Sequence, residues 1–236
     1  MWINGNWTRR ICAAAAALFL LGLTAQTDIG EPFGLSTTPV SEGPLWAAWL
    51  DLQPQIKADE DVVQQCRREP KSCSSAAALR FIAIVDEGQP YQAFARIGHI
   101  NRAVNFVIKS FDLTKRGDDK WTSPLATLTT GIGDCKQFSV LKYAALIDAG
   151  FSPDDLRVAV LNSKLRHDLH AVVAVRNDRR WIILYNRSLS LVDSNEILDR
   201  YIPLYVLDQH GVRQFVLPKQ MAGGADAIDA AACDSD

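Results

Sequence analysis

The chain lacks a charge imbalance. Its formal net charge of −2 gives no electrostatic case for binding nucleic acid or an anionic membrane, and it carries no helical or strand-based nucleic-acid motif. Internal repeats are also missing, which excludes solenoids and propellers. Histidine is scarce, at 4 in 236 residues, and none lies near Cys66 and Cys73, which argues against a zinc site there. The apolar run near the N-terminus, residues 11–23, is short against the roughly 20 residues that a membrane-spanning helix needs.

What is present fits one globular domain, with 48% apolar and 22% charged residues around a single core. Arg9-Arg10, the apolar run and the small residues near Ala25 have the layout of a secretory signal peptide over residues 1–25. The flanks of Arg9-Arg10 do not suit a twin-arginine signal, so general secretion is the expected route. The bulk of Leu23 just before the cleavage site leaves an uncleaved anchor as the alternative. The protein is therefore expected in the periplasm or secreted. Cys12 leaves with the signal, and Cys66, Cys73, Cys135 and Cys233 remain. Cys66 and Cys73 flank a helix break at Pro70, and an oxidising compartment predicts a disulfide between them. That pairing leaves Cys135 for another role.

Residues 26–44 read as an extended lead-in. Helical periodicity starts at Leu45, with Trp46, Trp49 and Leu50 on one face, and predicts further helices over 58–67, 74–86, 91–110, 125–129 and 138–149. Strands are expected over 156–161, 170–175, 180–184, 202–207 and 212–217, with a hairpin turn at Asn177-Asp178. Helices followed by an antiparallel sheet make an α+β domain, placed at 45–218. Residues 219–236, rich in Ala, Gly and Asp, read as a disordered tail.

Asp134-Cys135 is the pair with the most chemistry in it. It follows Gly131-Ile132-Gly133 and opens a strongly apolar helix. Unpaired N–H groups and the positive end of the helix dipole there favour thiolate over thiol. His170 begins the alternating run His-Ala-Val-Val-Ala-Val, which reads as a strand. A thiol at a helix start facing an imidazole on a strand can make a nucleophile. The other histidines read as structural: His99 beside a buried helical stripe, His167 in a loop, His210 in a turn.

With these pieces placed, the chain resembles the bacterial transglutaminase-like cysteine proteinases, exported enzymes of papain-like fold. The resemblance is carried by Asn101-Arg102-Ala103-Val104-Asn105, Trp121-Thr122-Ser123-Pro124-Leu125, Gly133-Asp134-Cys135, Lys142-Tyr143 and the block 156–187. It implies a cysteine-bearing central helix packed on the sheet, Cys135 as nucleophile and His170 as its base. Known members are periplasmic proteases that release large adhesins from the outer membrane and are restrained by an inner-membrane receptor. The implied partners are thus a protein substrate such as a surface adhesin and a regulatory receptor, with no nucleic acid.

Two positions depart from the family pattern. Where the family has Asp-Cys-Glu-Asp, this chain reads Asp134-Cys135-Lys136-Gln137. Calcium-dependent members bind the ion through these carboxylates. Lys136 puts a cation where a hard metal ion needs oxygen ligands, so no cofactor is expected, and Asp134 is the one remaining candidate ligand. The family's third catalytic residue is an Asp, and here Tyr185 takes its place in Leu184-Tyr185-Asn186-Arg187. Tyr185 can orient the imidazole through its hydroxyl, and Asn186 can do so if the strand twists or bulges. Asp193 is a possible substitute from a loop, although its position also suits a helix cap. The expected function is an exported cysteine peptidase cleaving a protein by Cys–His chemistry. The alternative is a domain of the same fold that binds or regulates with weak catalysis or none.

Overall fold

The computed structural model describes residues 30–113 and 120–222. The expected signal peptide, most of the expected tail, Cys12 and Cys233 lie outside the described residues.

In chain order the strands are β1 (Thr37–Val40), β2 (Lys109–Ser110), β3 (Ile132–Gly133), β4 (Leu156–Ser163), β5 (Leu169–Asn177), β6 (Arg180–Leu184), β7 (Val192–Asp193), β8 (Tyr201–Asp208) and β9 (Gly211–Phe215). The helices are α1 (Pro44–Arg68), α2 (Ala76–Asp86), α3 (Ala93–Val107), α4 (Pro124–Thr130), α5 (Cys135–Asp148) and the short α6 (Lys219–Ala222). Seven strands form one antiparallel sheet in the order β1-β9-β8-β4-β5-β6-β7, and β2 and β3 pair in parallel beside it. Helices first and an antiparallel sheet after is the α+β order that the residue pattern predicts.

Three differences from that pattern have physical causes. The two helices expected on either side of Pro54 are one helix, α1. Proline removes one hydrogen bond to Leu50, but both residues are exposed and water can take its place. Buried Trp49, Leu52, Val63 and Cys66 hold both halves on one core. The lead-in contains β1, whose partner Phe215 pairs with Thr37 from the other end of the chain. Helix α3 stops at Val107 because Lys109 and Ser110 pair with Ile132 and Gly133. Lys219–Ala222 form a helical turn.

Helix α5 is the spine of the core. It is buried along most of its length and packs on β5 and β4, with α3, α2 and α4 around it. The Cys66–Cys73 disulfide closes the turn from α1 towards α2. Arg67 then donates to Asp86 and to Asp148, each at 2.6 Å, tying α1, α2 and α5 together.

The sheet has two buried faces. Leu169, Val173 and Val175 of β5 join the large core on the α5 side, while Val172 and Ala174 pack with Phe33, Trp181, Ile183 and Phe215 on the other. Strand alternation puts His170 with Val172 on this second face. A bulge in the β4–β8 pairing, between Val160↔Tyr205 and Leu161↔Pro203, inverts the alternation of β8. Leu204 and Tyr205 both pack on the α5 side, so Tyr201 emerges on the second face.

Candidate active site

The site is built where α5 meets the end of β6. Gly131 caps α4 with φ 67°, the left-handed region that glycine adopts without penalty. Gly133 is needed for a close approach, since a Cβ there would meet Gln137 Cβ at 2.6 Å. Asp134 then caps α5 in a reciprocal box: its Oδ1 accepts from Lys136 N–H at 2.9 Å, and its own N–H donates to Gln137 Oε1 at 3.0 Å. Gln137 Nε2 also donates to the Lys120 carbonyl at 2.6 Å. Cys135 is thereby fixed as the first residue of the helix.

The β5–β6 ladder ends at Val173↔Leu184, so Ala171 lies past its end. Into that notch comes the sulfur: Ala171 N–H donates to Cys135 Sγ at 3.0 Å. Cys135 is buried and packs with Ala171 and Trp121. The sulfur is thus beside the backbone of His170. Among the described residues, no hydrogen bond joins Sγ to the imidazole in this conformation, and His170 Nε2 is buried without a hydrogen-bond partner.

Burial pushes the His170 pKa down from 6.5 to about 3, and Arg187, Lys142 and Arg166 push it the same way. The Asn186 side chain acts against them, favouring the imidazolium. Lys142, two turns along α5 from Cys135, is wholly buried with Nζ unpaired and 5.8 Å from the centre of the Phe138 ring, and burial holds its pKa well below 10.5.

The candidate third residues fall in three different places. The Tyr185 ring lies against His170, with centroids 4.6 Å apart, but its hydroxyl pairs with that of Tyr201 at 2.5 Å rather than orienting the imidazole. Burial and this bond push the Tyr185 pKa well up, so the phenol is neutral. Asp193 caps the following turn, accepting from Asn195 N–H at 3.0 Å. It pairs with Ile182, which pairs with Val175, five residues from His170 and so roughly 17 Å along the strand. Asp193 is not brought to the imidazole. Asn186 comes nearer: β6 ends at Leu184, the turn beyond it is free of the alternation that would point Asn186 away, and its side chain acts on the ring, although its Oδ1 is buried without a hydrogen-bond partner.

Two asparagines of α3 clamp this turn. Asn105 Nδ2 donates to the carbonyls of Tyr185 at 2.9 Å and Ser188 at 3.2 Å, and Asn101 Nδ2 donates to Ser188 at 3.2 Å. Their spacing of four residues puts them on one face of α3, where Asn101 is buried with Ile97, Ile100 and Val104, and was a signal for such a role. Tyr201 was also missed; Pro203 within β8 marks the bulge that turns it inward.

Asp134 was the candidate calcium ligand. Its Oδ2 lies 3.1 Å from Lys136 Nζ, and both side chains are buried, at 0% and 2% exposure. An ammonium already sits on this carboxylate where a divalent ion would have to bind, and the arrangement does not fit calcium. No group of three or more His, Cys, Asp or Glu able to hold a metal occurs among the described residues.

A cysteine opening a buried helix, laid against an antiparallel strand that carries a histidine, is the arrangement of a transglutaminase-like α+β domain. The chain belongs to the bacterial transglutaminase-like cysteine proteinase family (BTLCP), whose sequence signature matches residues 56–206. Among solved structures it is similar to LapG of Legionella pneumophila, at 20% identity and a TM-score of 0.55, over 72% of this chain and 94% of that one. The calcium-bound form of that protein matches with a TM-score of 0.54 at 20% identity, over 70% and 96% of the two chains. Its EGTA-treated form gives 0.53 at 19% identity, over 72% and 95%. No curated protein matches the chain.

Proposed function

We propose that this is an exported cysteine peptidase acting on a protein substrate, with Cys135 as nucleophile and His170 as general base. The observation that supports this reading is the Ala171 N–H bond to Cys135 Sγ at 3.0 Å, with the sulfur at the start of α5 and next to the backbone of His170, whose ring lies on the other face of β5 against Tyr185 and Tyr201. His170 takes the thiol proton as sulfur attacks the scissile carbonyl, and returns it to the leaving amine. Water then hydrolyses the thioester with the same imidazole as base. Backbone N–H groups at the start of α5 hold the oxyanion. His170 is neutral at neutral pH, which suits it to accept a proton. Asn186 orients the ring through its side chain, in the manner of Cys–His–Asn enzymes.

Export is supported by the signal-like segment and by the Cys66–Cys73 disulfide, which persists in an oxidising compartment. No helix among the described residues is long and apolar enough to cross a membrane. The family resemblance makes a surface adhesin the first substrate class to try and an inner-membrane receptor the first regulator. The buried Lys136–Asp134 pair supports a calcium-independent site.

A second reading is favoured by the surroundings of His170. Turnover forms an imidazolium, and here Arg187, Lys142 and Arg166 oppose it while Tyr185 offers no carboxylate. A protein of this fold that binds its target and cleaves slowly or not at all follows from the same facts. The test is incubation of the purified protein with candidate exported proteins, with Cys135→Ala as control. Cleavage by the parent and not the variant supports the peptidase; stable binding by both without cleavage supports the second reading.

A further inference from the structure

Lys142 is a buried amine that the proposed reaction does not use. The residue is 1% exposed, its Nζ has no hydrogen-bond partner, and it forms no ion pair among the described residues. An unmet buried donor is costly, and buried polar groups nearly always find a partner, in protein or in water. Complementary groups lie on α3. Asn101 is 0% exposed; its Nδ2 donates to the carbonyls of Ser188 and Leu189, while its Oδ1 has no partner. Asn105 repeats the pattern, with Nδ2 donating to Tyr185 and Ser188 and Oδ1 buried without a partner. In both amides the donor half clamps the turn after β6 and the acceptor half is uncommitted.

Two contacts set the level at which these helices face each other. At one end Arg96 Nη1 donates to the Ala149 carbonyl at 3.1 Å, and at the other Lys109 pairs with Ile132. Helix α3 therefore runs antiparallel to α5, and Asn101 and Lys142, near the middle between those contacts, stand level. Around α5, Lys142 comes seven residues after Cys135, close to two full turns, so the two share a face. That face meets Ala171 and the end of the β5–β6 ladder, where the clamped turn begins. Lys142 is also near enough to act on His170.

We propose that Lys142 is a positioning residue: its amine is hydrogen-bonded to the Asn101 amide oxygen, directly or through one enclosed water, and so steadies the clamp on the turn that carries Asn186. The amine has N–H groups enough to serve both amide oxygens. An enclosed water needs two to four polar partners, and Lys142 Nζ, Asn101 Oδ1 and Asn105 Oδ1 supply three. Holding Oδ1 fixes the plane of each amide, and with it the direction in which Nδ2 meets the turn. Asn186, whose side chain acts on His170, is placed by that turn. The link stands without the peptidase reading; only the effect on turnover rests on it.

The parent protein and one variant test this. NMR of the parent should show cross-relaxation between the Lys142 ε-methylene and the Asn101 side-chain amide, or from both to one bound water. Lys142→Met keeps a long unbranched chain and removes every N–H. If Nζ were unmet, methionine would raise the denaturant midpoint, because a costly buried donor is gone. Linked to Asn101, its removal should instead lower the midpoint and speed hydrogen exchange of the backbone amides at 185–189 about tenfold, with β8 and β9 changed much less. On a cleavable substrate kcat should fall about threefold or more with KM unchanged, and no further in an Asn186→Ala background, because Lys142 acts through that residue. Absence of the cross-relaxation in the parent, a raised midpoint in Lys142→Met, or equal acceleration of exchange across the domain overturns the link. Losses of kcat that multiply in the double variant overturn the positioning role. A parent protein that cleaves nothing sinks the peptidase reading instead, and the cross-relaxation, midpoint and exchange still decide the link.

Discussion

Lys136 Nζ lies 3.1 Å from Asp134 Oδ2 with both side chains buried, so the residue that caps α5 just before Cys135 carries its own cation. A buried carboxylate without a counter-charge is costly, and removing one partner of such a pair typically destabilises by about 3–5 kcal/mol. Lys136→Met should therefore lower the melting temperature. EGTA should leave that of the parent protein unchanged. Lys136→Glu returns the Asp-Cys-Glu order of the family and should create a protein whose melting temperature rises with calcium and falls with EGTA. A parent protein destabilised by EGTA and restored by calcium would contradict the internal-cation reading.

The His170 environment predicts an acid-side loss of stability. Its folded pKa, about 3, lies below the unfolded value of 6.5, so between these values the unfolded chain holds a proton that the folded one does not. This contribution is fully present above pH 6.5 and is lost as the pH falls towards 3, at no more than about 1.4 kcal/mol per pH unit. Denaturant midpoints measured from pH 7 to 4 should fall less steeply in His170→Gln than in the parent. Equal slopes would mean that His170 titrates normally.

Much of the architecture was legible because the patterns are local. Leu-Arg-Val-Ala-Val-Leu at 156–161 and the His170 run are apolar segments bounded by turn residues, and Asp134-Cys135 before an apolar helix carries its own cap. What escaped depends on distant partners. Thr37–Val40 is an edge strand only because β9 exists, and Pro54 lies within one helix because core residues on both sides of it share one core. In the site, Cys135 and His170 stood out by residue type and spacing, while the candidacy of Asn186 came only through the family resemblance and against the alternation of the strand. The roles of Tyr185 and Tyr201 could not be read there, because a bulge at Val160/Leu161 decides which face Tyr201 presents. That Lys136 binds Asp134, rather than merely displacing a metal, also required the side-chain geometry.

The Cys66–Cys73 disulfide closes a short loop, with a sequence separation of 7. On the chain-entropy account a loop of this size contributes about 2–3 kcal/mol. Replacing both cysteines by alanine should lower stability by that amount and leave the α5 site intact, since the bond lies at the α1–α2 turn. Chemical denaturation of the double variant, alongside alkylation of Cys135, checks both parts. A comparable loss of Cys135 reactivity would show that the disulfide supports the site itself.

The last prediction separates the two candidates that remain beside His170. The Tyr185 hydroxyl is engaged with Tyr201, so Tyr185→Phe removes that bond without touching an imidazole contact. It should cost about 1 kcal/mol of stability and change turnover less than about threefold. Asn186→Ala removes the group that favours the imidazolium, and should lower kcat by about tenfold or more with little change in KM, because the charge it supports develops in the transition state. Asn186→Asp and Tyr185→Asp each place a carboxylate next to the ring. Either should raise the His170 pKa and, if the missing charge limits the rate, raise kcat as well. These comparisons are best made on protein in which Cys12 and Cys233 are replaced, so that Cys135 is the reporting thiol. A large effect of Tyr185→Phe with none from Asn186→Ala would transfer the orienting role to the phenol. If Asn186→Asp and Tyr185→Asp both raise the His170 pKa yet neither brings cleavage, the imidazole is not what limits this domain, and the binding reading becomes the stronger one.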